Sequence, residues 1–155
     1  MPDVFTKAKR SDVMSLIRGT GNKDTELRLI LIFRETGITG WRRGSKLPGK
    51  PDFVFPKMKI AVFVDGCFWH GCPKHATWPK NRAAFWAAKL KGNKTRDRKV
   101  NRLLRAKGWT VMRVWEHELT KRNIPRLLKR LAPLAQVACL PSGLVVTRSH
   151  RFSGK

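Results

Sequence analysis

Acidic residues are scarce in this chain: 10 Asp plus Glu stand against 34 Lys plus Arg, a formal net charge of +24. That excess is far beyond what solubility requires and points to a polyanionic partner. Cysteine is equally sparse. Cys67 and Cys72 form a Cys-x4-Cys pair and Cys139 stands alone, which excludes the disulfide framework of a small secreted domain and suggests a reducing, cytoplasmic setting. No run approaches the roughly 18 apolar residues of a membrane span, and the amino terminus lacks the apolar core of a signal peptide. Nucleic acid is therefore favoured over a lipid surface. Internal repeats and low-complexity tails are also missing, so the basic charge belongs to the surface of a fold.

What is present is ordinary globular chemistry. A chain of 155 residues, 41% hydrophobic and 28% charged, is enough for one domain with a closed core. Met1 to Asn22 is polar and basic with weak periodicity, either an arm that orders on DNA or a flexible leader. Asn22 or Asp24 can cap a helix that runs to Glu35 and stops at Gly37, with Glu26, Ile30 and Phe33 on one inward face. Strands are expected at Gly40–Arg42, Asp52–Phe55, Lys59–Asp65 and Thr110–Trp115, from β-branched and aromatic runs between Gly, Pro and Lys breaks. The unbroken apolar run Ile60-Ala61-Val62-Phe63-Val64 reads as a central strand covered on both faces, which implies an α/β fold with helices on both sides. A long helix is expected over Arg82–Lys107, ending at Gly108, and a short one over Ile124–Ala135 with Pro125 in its first turn. Residues 23–136 make the folded domain, and 137–155 form a tail with no assigned role.

Chemistry-bearing residues gather in three places. Leu47-Pro48-Gly49-Lys50-Pro51-Asp52 puts a carboxylate at the start of one strand with a second strand close behind. Two adjacent strands can offer oxygens to one hard cation, and Mg²⁺ takes carboxylate, carbonyl and water oxygens while activating water for phosphodiester hydrolysis. Asp52 is the evident ligand, although an Asp after Pro also commonly caps a turn. The stretch Val64-Asp65-Gly66-Cys67-Phe68-Trp69-His70-Gly71-Cys72-Pro73-Lys74-His75, with His117 further on, supplies a closed thiolate and imidazole set for structural Zn²⁺: Cys67, Cys72, His75 and His117. His70 is an alternative to His75, but its place beside the metal-binding strand suits a general base. Phe68 and Trp69 are either core residues or wedges between base steps. On the long helix, Asn93 and Asp97 fall within about 20° of the line through Trp86 and Leu104 at about 100° per residue. Asn93 and Asp97 thus interrupt an inward apolar line and need partners, either at an active site near His70 and the scissile phosphate or, for Asp97, in a salt bridge to Arg96 or Arg98.

Taken in order, Pro51-Asp52-Phe53-Val54, Phe63 through His70, Phe85-Trp86, Asn93, Arg96-Asp97-Arg98, Gly108-Trp109 and Val114-Trp115-Glu116 resemble the very short patch repair (Vsr) endonucleases, from Lys7 to Ala135. The resemblance implies a restriction-endonuclease-like central mixed sheet flanked by helices. It also implies nicking of one strand on the 5′ side of the thymine in a T:G mismatch, leaving a 5′-phosphate and a 3′-hydroxyl. The roles it implies are Asp52 as main Mg²⁺ ligand, the Val64 backbone carbonyl as a second ligand, His70 as base, and Glu26, Asp65 and Asp97 in support. Phe68, Trp69 and Trp86 would intercalate, with Asn93 also at the DNA. Two positions depart from a characterised family member. Asp65 replaces a histidine, so an imidazole contact to phosphate gives way to an acidic group open to metal or water. His117 replaces a cysteine, and either residue binds zinc. The implied partners are mismatched double-stranded DNA and, functionally, a cytosine-5 methyltransferase and mismatch-repair proteins. A monomer associated with the bacterial nucleoid is expected. A restriction-like nuclease cutting both strands and a zinc-held DNA-binding module without catalysis are the competing readings.

Overall fold

The computed structural model describes residues 25–75 and 82–136. The expected arm Met1–Asn22, the caps Asn22 and Asp24, and the tail 137–155 lie outside the described residues. Helix α1 spans Glu26–Glu35 and strand β1 spans Phe53–Phe55, followed by a 3-10 turn over Pro56–Met58. Strand β2 spans Ile60–Asp65, helix α2 Ala83–Ala106 and strand β3 Thr110–Trp115; a 3-10 turn at Glu116–Leu119 leads to helix α3, Ile124–Gln136. Among the described residues no helix is long and apolar enough to cross a membrane.

The sheet is mixed, in the order β1-β2-β3. β1 runs antiparallel to β2, pairing Phe53 with Val62, and β2 runs parallel to β3, pairing Phe63 with Arg113 and Val64 with Val114. The continuous apolar run sits in the central strand, as expected of a strand covered on both faces. Alternation along β2 divides the core. Val62 joins Phe53, Phe55 and Val114 on the side of α1 and α3, against Leu29, Phe33, Leu127 and Leu131. Ala61 and Phe63 face the other way, with Val54, and Leu104 and Val100 of α2 cover them. A parallel pair needs a crossover connection, and α2 supplies it.

Three strand expectations are corrected, the smallest being that β2 begins at Ile60, since Lys59 has φ of +50° and cannot extend it. Gly40–Arg42 is not a strand: it contributes one isolated bridge, Arg42 to Val54, with hydrogen bonds of 2.8 and 2.9 Å. Gly40 and Gly44 have φ of +81° and +69°, so the backbone turns away on either side and cannot extend the pairing. β1 begins at Phe53, one residue later than expected, which leaves Asp52 outside the ladder with its side chain free for other work.

Candidate active site and metal cluster

The carboxylates converge where β1 begins and β2 ends. Asp52 Oδ2 accepts a hydrogen bond from the Val64 backbone N–H at 2.7 Å. Burial pushes the Asp52 carboxyl from 3.8 up to about 6, against the opposing pull of the Val64 N–H and helped by the nearby carboxylates of Glu26 and Asp65. Glu26 is buried at the start of α1 and is bound by Arg43. Asp65 is 3% exposed and takes two bonds from Arg113 Nη1, at 2.8 and 2.6 Å. Among the described residues, Asp52 is then the carboxylate of this group with no ion-pair partner. An unpaired, half-buried carboxylate beside two neutralised ones is the electrostatic setting that a bound divalent cation relieves.

His70 lies on the loop after β2. Its Nδ1 is 2.7 Å from Asp97 Oδ2 and 3.6 Å from Asp65 Oδ1. A carboxylate only accepts, so the Asp97 contact requires Nδ1 to carry the proton and leaves Nε2 with its lone pair available. Asp97 reaches this position from the middle of α2, and its other oxygen is 3.1 Å from Arg113 Nη2. The local salt bridge to Arg96 or Arg98 does not form: Arg96 donates to Asn93 Oδ1 at 3.0 Å instead. Neighbours at i±1 point to different sides of a helix, whereas i and i+3 face one another. Asn93, expected at the DNA, also donates its Nδ2 to the Trp69 carbonyl at 2.9 Å. Both ends of its amide are engaged within the chain, and it braces the loop that carries His70.

That loop separates two chemistries with one glycine. Gly71 has φ of +60°, and a Cβ there would meet Lys94 Cε at 2.6 Å. The left-handed turn sends His70 towards α2 and lets the Cys72 N–H close back on the Cys67 carbonyl at 2.8 Å. Cys67, Cys72, His75 and His117 then hold their donor atoms within 4.8 Å of one another. Cys67 Sγ is 3.2 Å from His117 Nδ1, and Cys72 Sγ is 3.7 Å from both His75 Nδ1 and His117 Nδ1. These separations match the edges of a tetrahedron around a cation bound by two thiolates and two imidazoles. With no cation, burial pushes the Cys67 thiol up to about 11, and burial together with His75 holds His117 below the usual imidazole range. His70 is not part of this set.

Phe68, Trp69 and Trp86 form a three-ring cluster with centroids 5.2, 5.3 and 6.1 Å apart. All three are half-buried, while the adjacent Phe85 is 54% exposed. Beyond the metal cluster, a cavity of about 670 Å³ is walled by basic side chains, including Lys74, Arg122, Arg126 and Arg130. Two residues that sequence reasoning missed complete the site, Arg43 and Arg113. The second had a readable signal, a charge inside the otherwise apolar strand Val111-Met112-Arg113-Val114-Trp115. Asp65, expected to be open to metal or water, is instead sealed by that guanidinium.

Comparison with known proteins shows which family the chain is similar to. Residues 2–76 match the family model described as DNA mismatch endonuclease Vsr. The nicking enzyme V.NmeAIP of Neisseria meningitidis is 40% identical over 129 residues, covering 81% of this chain and 90% of that protein. The DNA mismatch endonuclease Vsr of Escherichia coli is 37% identical over 129 residues, 79% of each. The nicking enzyme V.NaeI of Lentzea aerocolonigenes is 52% identical over 77 residues, 50% of this chain but only 46% of that protein. In class, the protein is a DNA endonuclease, a hydrolase whose partner is DNA. More particularly, the chain belongs to the Vsr family.

Proposed function

We propose that the enzyme nicks one strand of double-stranded DNA on the 5′ side of the thymine in a T:G mismatch, by Mg²⁺-dependent hydrolysis within a restriction-endonuclease-like fold. One observation carries the reading: an unpaired Asp52 carboxylate, hydrogen-bonded to the β2 backbone at Val64, beside a His70–Asp97 pair. The relatives named above are called mismatch endonucleases or nicking enzymes, which supports the same outcome.

Asp52 would hold Mg²⁺, and the Val64 carbonyl leaves β2 on the same side as the N–H that Asp52 accepts, so it is suited to be the second ligand. When bound, the cation offsets charge developing on the phosphate and lowers the pKa of water. His70 Nε2 takes a proton from the attacking water, and Asp97 fixes the tautomer and steadies the imidazolium that results. The water oxygen bonds to phosphorus as the bond to the 3′-oxygen breaks, and that oxygen takes a proton from a solvent water, leaving a 5′-phosphate and a 3′-hydroxyl. Glu26 and Asp65, each held by an arginine, shape the field around Asp52. Phe68, Trp69 and Trp86 form the wedge that opens the stack beside the mismatch, and Asn93 secures its base. Cys67, Cys72, His75 and His117 would hold a structural Zn²⁺ that fixes the loop. Residues 23–136 constitute the endonuclease domain, 1–22 an arm on the DNA and 137–155 a tail. The substrate chemistry fits repair after deamination of 5-methylcytosine, in the company of a cytosine-5 methyltransferase and mismatch-repair proteins. The protein acts as a monomer at the bacterial nucleoid.

The test is cleavage of an end-labelled duplex with one T:G mismatch in Mg²⁺, beside the fully paired duplex and the Asp52→Ala protein. A nick confined to the mismatched duplex and lost in the variant is expected. Linear product from an unmismatched plasmid, or binding without cutting, would overturn the reading.

A further inference from the structure

We propose that Arg113 is a positioning residue for the general base: it decides which of two carboxylates holds His70. The inference rests on His70 acting as the base. Two carboxylates compete for one imidazole N–H, with Asp97 Oδ2 at 2.7 Å and Asp65 Oδ1 at 3.6 Å from His70 Nδ1. The ring need move only by the difference between those distances to change partners, and that swing re-aims Nε2. Arg113 blocks the exchange through both hands of its fork. Nη1 takes both oxygens of Asp65, at 2.8 and 2.6 Å, and so satisfies the buried carboxylate that would otherwise draw the imidazole. Nη2 is 3.1 Å from Asp97 Oδ1, which leaves Oδ2 as the free acceptor for His70. The fork is itself fixed: Nε donates to Asn101 Oδ1 at 3.3 Å, and the guanidinium lies 4.8 Å over the Phe63 ring. A planar guanidinium fixes donors on two edges for two carboxylates at once, whereas an ammonium is a point charge with no fixed fork.

Arg113 thereby joins β2, β3 and α2 at the site, and all three of its guanidinium nitrogens are engaged by Asp65, Asp97 and Asn101. Its loss should slow the chemical step and leave DNA affinity alone. The experiment uses the full chain, and pairs single-turnover nicking of the mismatched duplex with DNA affinity and a crystal structure for each variant. Arg113→Met is expected to cut up to about 100-fold more slowly, to bind DNA within about 2-fold of the parent, and to show His70 Nδ1 moved onto Asp65. Should the buried Asp65 prevent that variant from folding, Arg113→Lys keeps a cation in place. It is expected to cut about 10-fold more slowly, because an ammonium lacks the rigid fork that fixes both carboxylates in place. A parental rate in Arg113→Lys, His70 still on Asp97 in Arg113→Met, or a loss of affinity in place of rate would each overturn the assignment. If the parent protein itself fails to nick the T:G duplex, the mismatch reading falls, while the position of His70 in the variant structures still decides the role of Arg113.

Discussion

Replacing Asp52 by Asn should make the Mg²⁺-free protein more stable while removing its activity. Burial raises the Asp52 carboxyl from 3.8 to about 6, so the folded chain holds that proton more tightly than the unfolded chain does. The stabilisation this gives is complete below pH 3.8 and is lost as pH rises through about 6. At about 1.4 kcal/mol for each pH unit between the two values, the ionised carboxylate costs the native state up to about 3 kcal/mol at pH 8. Asn keeps the shape, its Oδ1 can still accept from the Val64 N–H, and the charge assistance of that bond is already contained in the rise to about 6. The expected gain is therefore up to about 3 kcal/mol at pH 8, or a rise in Tm of about 6–12 °C. The assay is thermal unfolding of both proteins from pH 4 to pH 8 in Mg²⁺-free buffer without chelator, so that the Cys and His cluster is undisturbed. The two Tm curves should meet near pH 4 and diverge above pH 6. Added Mg²⁺ should raise Tm for the parent alone. An Asn variant that is less stable at pH 8, or a difference that ignores pH, would refute the electrostatic account of Asp52.

Two further outcomes follow from the basic side of the molecule and from the cluster. Metal analysis should find one Zn²⁺ per chain, and Cys67→Ser should lower stability by at least about 3 kcal/mol, since ligand geometry assembled by the fold returns binding energy to it; a metal-free protein with parental Tm would contradict this. Arg126 walls the basic cavity beside His75 and His117. If a DNA phosphate occupies that cavity, Arg126→Gln should reduce the slope of log affinity against log salt by about 0.9 with little change in single-turnover rate, whereas an unchanged slope would remove the cavity from the DNA path.

The parts of the fold legible from sequence were those governed by short-range periodicity. The apolar run of β2 forecast a strand covered on both faces, and the line Trp86, Asn93, Asp97, Leu104 forecast the inward side of α2, where Leu104 is fully buried. The same line flagged Asp97, because a carboxylate on an inward stripe must find a partner. Of the partners the sequence offered, His70 is the one found, 2.7 Å away, and Arg96 and Arg98 are not. The second partner was not legible: Arg113 comes from β3, 16 residues further along, and its approach depends on sheet register. Arg43, the partner of Glu26, escaped for a similar reason, since long arginines cross between elements that sequence spacing does not relate. Gly40–Arg42 misled because its aromatic and basic residues resemble a strand edge, whereas its flanking glycines set the backbone.

The parallel register between β2 and β3 has a consequence for biosynthesis. It places Arg113 against Phe63, within reach of Asp65, and in the same stroke delivers His117 to Cys67. A nascent chain that has not yet released β3 from the ribosome has Asp52, His70 and two cysteines already made, but neither a clamp for Asp97 nor a fourth sulfur or nitrogen for the cluster. Since chains emerge amino end first, neither centre is complete until β3 has docked on β2, and that one docking event completes both.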